Sequence, residues 1–278
     1  MRARLAAIDL DGTLLRSDGT ISRRTRAALT ACGEVGIDVV LVTARSPRSV
    51  RVIAADLGLI GIAICANGAT IYDLDADEIV RHRPLPPEVA HRVVRGLRTC
   101  VPGIAFAWEH ELRFGSEPAY EAQRDPAGWA RPDGSYPPCD VLSWREPMSK
   151  LLARIPGADL REVLEEARRL CGEDAEVTLT GDTFVEVMTR GVSKQAALAE
   201  LADERGVSAA QVVAFGDQLA DAEMLRWAGH GVAVRNATPF ALEAADEVTA
   251  SNDEDGVALV LERLAAEGQP NRRASLGA

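Results

Sequence analysis

Two carboxylates one residue apart, Asp9 and Asp11, are the residues of this chain best suited to chemistry. They follow the apolar run Leu5–Ile8, and a buried strand ending in Asp-x-Asp-Gly presents both side chains at the carboxyl end of a parallel sheet, where open α/β folds bind ligands. One carboxylate can attack phosphorus while the other handles the proton of the leaving group. The pair therefore indicates phosphoryl transfer. A plain strand with an Asp-Gly turn is the alternative, as is half of a calcium loop, although Leu14 and Leu15 supply no further oxygen ligand.

Two further segments carry groups that can hold phosphate oxygens. A second apolar strand ends in Thr43, whose hydroxyl can contact phosphate together with the backbone amides that follow it, and Arg45 comes two residues later. Lys194 falls on the first turn of a predicted helix. Lysine is rare here, because Lys150 and Lys194 are the only two among 31 basic residues, and a compact ammonium suits a point contact to phosphate and a carboxylate. For Thr43 the alternative is a buried strand followed by a helix N-cap. For Lys194 the alternative is an ordinary surface lysine.

A fourth segment places two more carboxylates after a strand. Asp217 follows a predicted strand and a glycine, and Asp221 comes four residues later. Asp217 can complete an oxygen-rich Mg²⁺ site with Asp9, because neighbouring carboxylates otherwise repel each other and raise a pKa. Taken alone, Gly-Asp after a strand is a common turn. All four segments lie at strand ends or at a helix start, however, and their joint occurrence points to one site.

The elements that position these residues alternate between strand and helix at both ends of the chain. The predicted strands are 5–8, 38–43, 63–66, 211–215, 231–234 and 247–249, and the predicted helices are 22–36, 46–58, 193–205 and 219–228. Such alternation is typical of a parallel sheet. We therefore expect an α/β protein with a Rossmann-like parallel sheet core, split between residues 1–83 and 188–267.

The pattern between residues 84 and 187 predicts an inserted α+β domain. Its predicted helices are 88–100 and 159–171, and its predicted strands are 104–108, 112–114, 151–155, 176–179 and 184–188. Residues 180–183 suit a hairpin turn, residues 116–139 a long loop, and residues 268–278 a flexible tail. Arg113, Arg131 and Arg145 can meet a second anionic group of a ligand, although exposed arginines are usually only solvated.

Composition excludes several other classes of protein. The formal net charge of −11 disfavours nonspecific binding to nucleic acid or to an anionic membrane. The five cysteines are scattered without a Cys-x-x-Cys pair, which indicates neither a disulfide framework nor a zinc site. The apolar run before Asp9 is too short for a signal-peptide core, and no run approaches membrane-spanning length. We expect a soluble, cytoplasmic protein.

With these motifs in place, the chain resembles, over nearly its whole length, the haloacid dehalogenase (HAD) superfamily hydrolases of the Cof-type sugar-phosphatase branch with a type IIB cap. Beyond the four motifs, the resemblance is carried by Ala66-Asn67-Gly68-Ala69, Asn236-Ala237, Ala245-Asp246-Glu247-Val248 and Ser251-Asn252-Asp253-Glu254-Asp255-Gly256. It implies a HAD-like core, with the inserted α+β domain as a cap.

The resemblance also implies roles for the residues. Asp9 is then the nucleophile that forms an aspartyl-phosphate, and Asp11 protonates the leaving alcohol and afterwards activates water. Thr43 and Lys194 bind the transferring phosphoryl group. Mg²⁺ is then held by Asp9, the backbone carbonyl of Asp11, and Asp217, while Asp221 does not bind the metal itself but orients a metal-bound water.

One residue departs from the family pattern. Ala220 stands where Asn usually precedes the second Asp of the last motif, and Gln218 is our candidate for replacing the missing amide. We also regard Arg45, Asn67 and Asn236 as candidate substrate or phosphate contacts.

The expected activity is Mg²⁺-dependent hydrolysis of a phosphate monoester on a small phosphorylated metabolite, such as a sugar phosphate, with the cap excluding bulk water. No nucleic acid or membrane partner is expected, and the oligomeric state is left open. Two alternatives are a phosphomutase that uses the same intermediate and a phosphometabolite-binding protein with little turnover.

Overall fold

The computed structural model describes residues 3–124, 134–180 and 184–268. The strands are β1 Leu5–Ile8, β2 Asp38–Val42, β3 Ile62–Cys65, β4 Thr70–Asp73, β5 Glu78–His82, β6 Ala105–His110, β7 Arg113–Ser116, β8 Lys150–Arg154, β9 Ala175–Thr180, β10 Phe184–Thr189, β11 Val212–Gly216, β12 His230–Ala233 and β13 Glu247–Val248. The α-helices are α1 Arg23–Glu34, α2 Pro47–Leu57, α3 Pro87–Cys100, α4 Pro118–Ala122, α5 Leu160–Cys171, α6 Lys194–Glu204, α7 Ala222–Trp227, α8 Pro239–Leu242 and α9 Gly256–Gly268. Short 3₁₀ turns span Ala66–Gly68, Val141–Ser143, Ala209–Gln211, Leu219–Asp221 and Asn252–Glu254.

The described chain divides into two compact units. The first is built from the residues up to Thr43 and from Leu198 onward, and the second runs from Ala44 to Ala197. The predicted domain boundaries at residues 84 and 187 stay a prediction.

The first unit contains a parallel sheet. Strand β1 pairs in parallel with β2 on one side and with β11 on the other, β11 pairs with β12, and β12 pairs with β13. Every residue of β1 is buried, as a central strand of a parallel sheet requires. Because Ile8 lies opposite both Leu41 and Phe215, the carboxyl ends of β1, β2 and β11 share one edge of the sheet. The residues that follow these strands therefore share that edge too.

Three helices of the first unit differ from the prediction, among them the short α8, which was not predicted. The helix predicted at 219–228 is a 3₁₀ turn, Leu219–Asp221, followed by α7, because the carboxylate of Asp221 accepts hydrogen bonds from the two backbone amides that precede the turn. Helix α9 was not predicted. Its segment Val257–Leu261 is almost wholly apolar, and a short apolar run does not reveal helical periodicity.

The second unit carries an antiparallel sheet of five strands in the order β7-β6-β8-β10-β9. Helices α3 and α5 contribute to a hydrophobic cluster with the strands, in which Trp108, Phe106 and Leu151 are buried. A second, smaller cluster contains Ala107 and Leu152, which are neighbours of those residues along β6 and β8 and point to the opposite face. The predicted strands and the two long helices of this segment are confirmed, with ends shifted by at most two residues.

The remaining predictions for the second unit are mixed. Strands β4 and β5 were not predicted; β4 pairs antiparallel with β3 on one side and with β5 on the other. The predicted long loop 116–139 contains the short helix α4, which begins at Pro118 because proline is favoured in the first turn. Three predicted features lie outside the described residues: Arg131 within 125–133, the centre of the predicted turn at 181–183, and the tail 269–278.

Candidate active site

Asp9 is the first residue after β1, and its position is fixed by the backbone. Its N–H donates a hydrogen bond of 3.1 Å to the carbonyl oxygen of Phe215, while its own carbonyl accepts one of 3.2 Å from the N–H of Leu14. Only 4% of Asp9 is exposed, whereas the side chain of Asp11 is exposed. The two carboxylates of the Asp-x-Asp motif thus have different surroundings, one buried at the sheet edge and one open to solvent.

Three buried carboxylates converge at this edge. Asp9, Asp217 and Asp221 each offer an oxygen, and these oxygens all lie within 4.8 Å of one another. Like charges this close are costly in a buried site unless a cation neutralises them. Because all the ligand atoms are carboxylate oxygens, the arrangement fits a hard divalent cation such as Mg²⁺ or Ca²⁺. The structure therefore brings together three of the four predicted acidic residues, and the side chain of Asp11 is not in this group.

Asp221 also shapes the backbone around the cluster. One of its oxygens, Oδ2, accepts hydrogen bonds from the N–H of Asp217 at 3.0 Å and from the N–H of Gln218 at 2.9 Å. A methyl group on Gly216 would lie 2.4 Å from the Cβ of Asp221, so only glycine fits there. Asp221 therefore fixes the loop that carries Asp217.

The carboxylate of Asp217 is held by two side chains. The hydroxyl of Thr13 donates to Oδ1 at 2.8 Å, and the amide of Gln218 donates to Oδ2 at 2.7 Å. Gly12, at φ +78°, passes so close that a Cβ would lie 2.5 Å from Oδ2. The sequence pattern indicated Gln218 as the source of an amide, but it did not indicate Thr13 as a partner of Asp217. A hydroxyl directly after Asp-x-Asp-Gly was the available signal.

Asn236, a predicted substrate contact, ties two loops together. Its amide nitrogen donates to the carbonyl of Gly12 at 2.7 Å, and its oxygen accepts from the N–H of Asn252 at 3.0 Å. Asn252 in turn donates to the carbonyl of Leu15 at 2.9 Å. Both ends of the Asn236 amide thus support the turn after β1. The last predicted group of this unit, Thr43, directly follows β2 and is fully buried.

The second unit contains the remaining predicted site residues. Lys194 begins α6 and is buried, and the hydroxyl of Ser193 caps the helix by accepting from the N–H of Ala196 at 3.1 Å. This confirms the predicted helix start. Asn67 is buried at φ +54°, in the left-handed region, and its amide nitrogen donates to the carboxylate of Glu186 at 2.5 Å. The Oδ1 atom of Asn67 has no hydrogen-bond partner among the described residues.

Lys150, the other lysine of the chain, holds a buried network that the sequence analysis missed. Its ammonium donates to Glu186 at 2.5 Å and to the backbone carbonyl of Ala44 at 2.6 Å, and only 4% of Lys150 is exposed. Asn67 and Lys150 therefore share the two oxygens of Glu186. The rarity of lysine was a signal for Lys150 as much as for Lys194.

Burial shifts the pKa of two neighbouring groups. Burial raises the pKa of Glu109 above the usual glutamate value, while the positive charges of Arg48 and Lys150 oppose that rise. Burial also raises the pKa of the Cys65 thiol, which is therefore protonated at neutral pH and unsuited to act as a nucleophile.

The sequence is similar to one protein family and to a curated phosphatase over most of the chain. Residues 6–261 match the family described as haloacid dehalogenase-like hydrolase. The chain is 32% identical over 260 residues to a Bacillus subtilis phosphatase of 5-amino-6-(5-phospho-D-ribitylamino)uracil, covering 92% of this chain and 93% of that protein.

Two solved structures match the fold of this chain over nearly its whole length. A haloacid dehalogenase-like hydrolase from Bacteroides thetaiotaomicron matches with a TM-score of 0.78 and 28% identity, covering 94% of this chain and 99% of that one. A HAD subclass IIB sugar phosphatase matches in fold with a TM-score of 0.78 at 23% identity, covering 94% of this chain and 98% of that one.

Proposed function

This chain belongs to the haloacid dehalogenase-like hydrolases and is a phosphatase of that family, and we propose that it hydrolyses a small phosphorylated metabolite through an aspartyl-phosphate on Asp9, with Mg²⁺ as cofactor. The predicted resemblance, the α/β fold class and the enzyme class are thereby confirmed. The mechanism, the metal and the substrate class form the proposal.

One observation carries the proposal: the buried cluster of Asp9, Asp217 and Asp221. Asp9 stands at the end of a central parallel strand, where the backbone holds its carboxylate at the sheet edge. Phosphoryl transfer depends mainly on positioning and on neutralising oxygen charge. A fixed carboxylate among cation-binding oxygens suits that reaction.

The proposed roles follow the chemistry of each group. Asp9 attacks phosphorus, the bond to the leaving oxygen breaks, and Asp11 gives that oxygen its proton. Asp11 then takes a proton from water as the water attacks the phosphorus of the aspartyl-phosphate, which releases inorganic phosphate and regenerates Asp9. Asp11 is exposed, which suits a carboxylate that gives a proton to the leaving oxygen and takes one from water. Thr43 and Lys194 bind the oxygens of the phosphoryl group.

The residues present fit a divalent cation. Asp9, Asp217 and the backbone carbonyl of Asp11 would hold it, and Asp221, which fixes the Asp217 loop, would support it. When bound, Mg²⁺ supplies positive charge that neutralises phosphate oxygens. Thr13 and Gln218 restrain the carboxylate of Asp217 through their hydrogen bonds.

The proposed substrate is small and carries a phosphorylated sugar or polyol. The name of the Bacillus subtilis relative specifies a phosphoribityl compound, and that of the subclass IIB structure specifies sugar phosphates. Nucleic acid is not part of the proposal, since the net charge is −11.

A cytoplasmic location is also part of the proposal. All five cysteines lie within the described residues and are free thiols, which suits a reducing compartment. Within the described residues, no helix combines the length and the apolar character needed to cross a membrane.

The test is phosphate release from a panel of sugar phosphates, nucleotides and pyridoxal phosphate, with Mg²⁺ or with EDTA. We expect Mg²⁺-dependent release that Asp9→Asn abolishes and that Asp203→Asn, an exposed control on α6, retains. Acid quenching of a reaction with ³²P-labelled substrate should leave label on the protein that hydroxylamine removes, because acyl phosphates are hydroxylamine-sensitive.

Three outcomes contradict the proposal. Isomerised product without free phosphate indicates a phosphomutase, and tight ligand binding without turnover indicates a binding protein. Full activity in Asp9→Asn would show that another residue is the nucleophile.

A further inference from the structure

The turn that follows β1, residues 11–17, carries Asp11, the proposed acid and base of the reaction. Leu15 lies beside Asp11 in an isolated parallel bridge, and its N–H donates to the carbonyl of Leu10 at 2.8 Å. Asp11 is exposed and lies outside the buried acidic cluster. The position of its carboxylate therefore depends on the path of the backbone through this turn.

Two asparagines from a distant part of the chain hold the turn next to Asp11. The amide nitrogen of Asn236 donates at 2.7 Å to the carbonyl of Gly12, the residue after Asp11. The amide nitrogen of Asn252 donates at 2.9 Å to the carbonyl of Leu15, the bridge partner of Asp11. The asparagines are also joined to each other, because the N–H of Asn252 donates to Oδ1 of Asn236 at 3.0 Å. The pair thus restrains both the chain neighbour and the bridge partner of Asp11.

The end of the turn is held by the segment that contains Asn252. The carboxylate of Asp253 accepts hydrogen bonds from the N–H of Ser17 at 2.8 Å and from its hydroxyl at 2.7 Å. Arg16 donates to Asp255 at 2.7 Å, and the side chain of Asp255 is only 15% exposed. Hydrogen bonds with a charged partner are stronger than neutral ones. This segment therefore contacts the last three residues of the turn in succession.

The supporting segment is itself compact. Asn252 is buried and begins a 3₁₀ turn, and the N–H of Gly256 donates to the carbonyl of Ser251 at 2.9 Å. A Cβ on Gly256 would clash with the carbonyl oxygen of Ala250, so only glycine fits there. Because its own backbone is fixed in this way, the segment can hold the turn after β1 in one position.

We propose that Asn236 and Asn252 are positioning residues that hold Asp11 where it can give a proton to the leaving oxygen. This inference rests on the proposed function and adds to it the residues that set the place of the acid. They act through the turn, a role different from the substrate contact predicted for Asn236. Proton transfer requires donor and acceptor within hydrogen-bond distance, so a small shift of the turn should impair this step first.

The experiment compares two phosphate monoesters whose leaving groups differ in their need for a proton. p-Nitrophenolate is stable as an anion, whereas the alkoxide of a sugar must be protonated as it leaves. The second substrate is the sugar phosphate of the panel with the highest wild-type kcat/KM. Asn252→Leu and Asn236→Ala should each lower kcat/KM for the sugar phosphate about tenfold, part of the effect of a general acid, and lower that for p-nitrophenyl phosphate less than about threefold. Asp11→Asn should show the same selectivity with a larger loss.

A milder variant keeps the test open if the buried replacement does not fold. Asp253→Ala removes only the exposed bonds to Ser17, and it should give a smaller loss with the same preference for p-nitrophenyl phosphate. Circular dichroism checks that each variant is folded.

Two controls separate positioning from general destabilisation. Glu262→Gln weakens an exposed ion pair of 2.6 Å with Arg24, which joins α9 to α1 in the same unit, and should leave both kcat/KM values unchanged. Leu29→Ala, at a buried residue of α1, should destabilise the protein but change the two substrates equally. Hydrogen–deuterium exchange gives a readout independent of activity, since Asn252→Leu should speed exchange in residues 10–17 and Glu262→Gln should not.

The outcomes separate this inference from the proposed function. Equal losses for both substrates in Asn252→Leu and Asn236→Ala, beside a selective loss in Asp11→Asn, overturn the inference and leave the proposed function standing. Unchanged exchange in residues 10–17 of Asn252→Leu also overturns it, because the asparagine then does not hold the turn. If Asp11→Asn itself shows no selectivity, or if the wild type hydrolyses neither substrate, the proposed function fails and the inference falls with it.

Discussion

Thr13 and Asp217 are separated by 204 positions in the chain and are joined by a hydrogen bond of 2.8 Å from Thr13 Oγ1 to Asp217 Oδ1. This bond links the turn after β1 to the loop after β11, the two segments that carry the proposed nucleophile and a proposed metal ligand. It lies in a buried site, where an unpaired carboxylate oxygen is costly. The orientation of Asp217 is therefore determined partly by the motif that contains Asp9.

Replacing Thr13 by valine should weaken both the fold and the reaction. Thr13→Val keeps the shape of the side chain but removes the buried hydrogen bond from Thr13 to Asp217 Oδ1, which should cost about 1–3 kcal/mol of unfolding free energy. We expect kcat/KM for phosphate release to fall roughly tenfold, because a tenfold change corresponds to about 1.4 kcal/mol of transition-state stabilisation. Thr13→Ser retains the hydroxyl and should retain most of the activity. Equal losses in both variants would show that the methyl group matters and the hydrogen bond does not.

Gly12 and Gly19 form a matched pair that separates steric contact from backbone strain. Both have φ +78°, but a Cβ on Gly12 would lie 2.5 Å from Asp217 Oδ2, whereas a Cβ on Gly19 would have nothing within 4 Å. Gly19→Ala should cost roughly 1 kcal/mol for the left-handed backbone and leave phosphate release unchanged. Gly12→Ala should carry the same strain and also displace Asp217, lowering kcat by an order of magnitude or more. Similar activity in the two variants, measured by phosphate release, would contradict this account.

Gln218 is expected to supply the amide that Ala220 lacks. Its side chain donates to Asp217 Oδ2 at 2.7 Å, so Gln218→Ala should lower kcat/KM about fivefold to tenfold, the scale of a lost hydrogen bond to a charged group. Ala220→Asn alone should leave activity unchanged or raise it. The double variant Gln218→Ala/Ala220→Asn should recover activity relative to Gln218→Ala. A large loss in Ala220→Asn would show that alanine is required at this position for another reason.

The sequence predicted the parts of this site that depend on local pattern. The apolar strands before Asp9, Thr43 and Asp217 are confirmed. Their parallel alternation with helices was enough to place the strand ends at one edge of the sheet within the first unit. The start of α6 at Lys194 followed from a serine cap, which is also a local signal.

The contacts that the sequence did not predict join residues that are distant in the chain. Glu186 lies 36 positions from Lys150 and 119 from Asn67, yet it binds both. No local periodicity encodes such a pairing, since it depends on strand order and register. The β4–β5 pair was missed for a different reason: a short edge strand with exposed charges, such as Glu78–His82, lacks an alternating apolar pattern.

Breaking the Lys150–Glu186 pair should destabilise the second unit. Lys150→Met leaves the buried Glu186 carboxylate with the amide of Asn67 as its one hydrogen-bond donor among the described side chains, a loss of about 3–5 kcal/mol in unfolding free energy. Urea denaturation of wild type and variant measures this change.

The double variant Lys150→Met/Glu186→Gln should be more stable than Lys150→Met, because glutamine removes the uncompensated charge and still accepts from Asn67. Arg168→Met, which breaks the exposed pair with Glu165, is the control and should cost less than about 1 kcal/mol. If Lys150→Met is no more destabilising than Arg168→Met, the buried pair contributes nothing to stability.

Glu109 should give the protein a pH-dependent stability. Burial raises its folded-state pKa above the unfolded value, so the folded protein holds this proton more tightly than the unfolded chain does. Wild-type stability should therefore fall as the pH rises from the unfolded pKa, about 4.3, to the folded pKa, and Glu109→Gln should lack this fall. The unfolding free energy of Glu109→Gln minus that of wild type, measured by urea denaturation between about pH 4 and 8, should increase with pH and then level off. Glu165→Gln, at an exposed glutamate of α5, should show no such increase. A difference for Glu109→Gln that decreases with pH would mean that Arg48 and Lys150 outweigh burial and that the pKa of Glu109 is lowered.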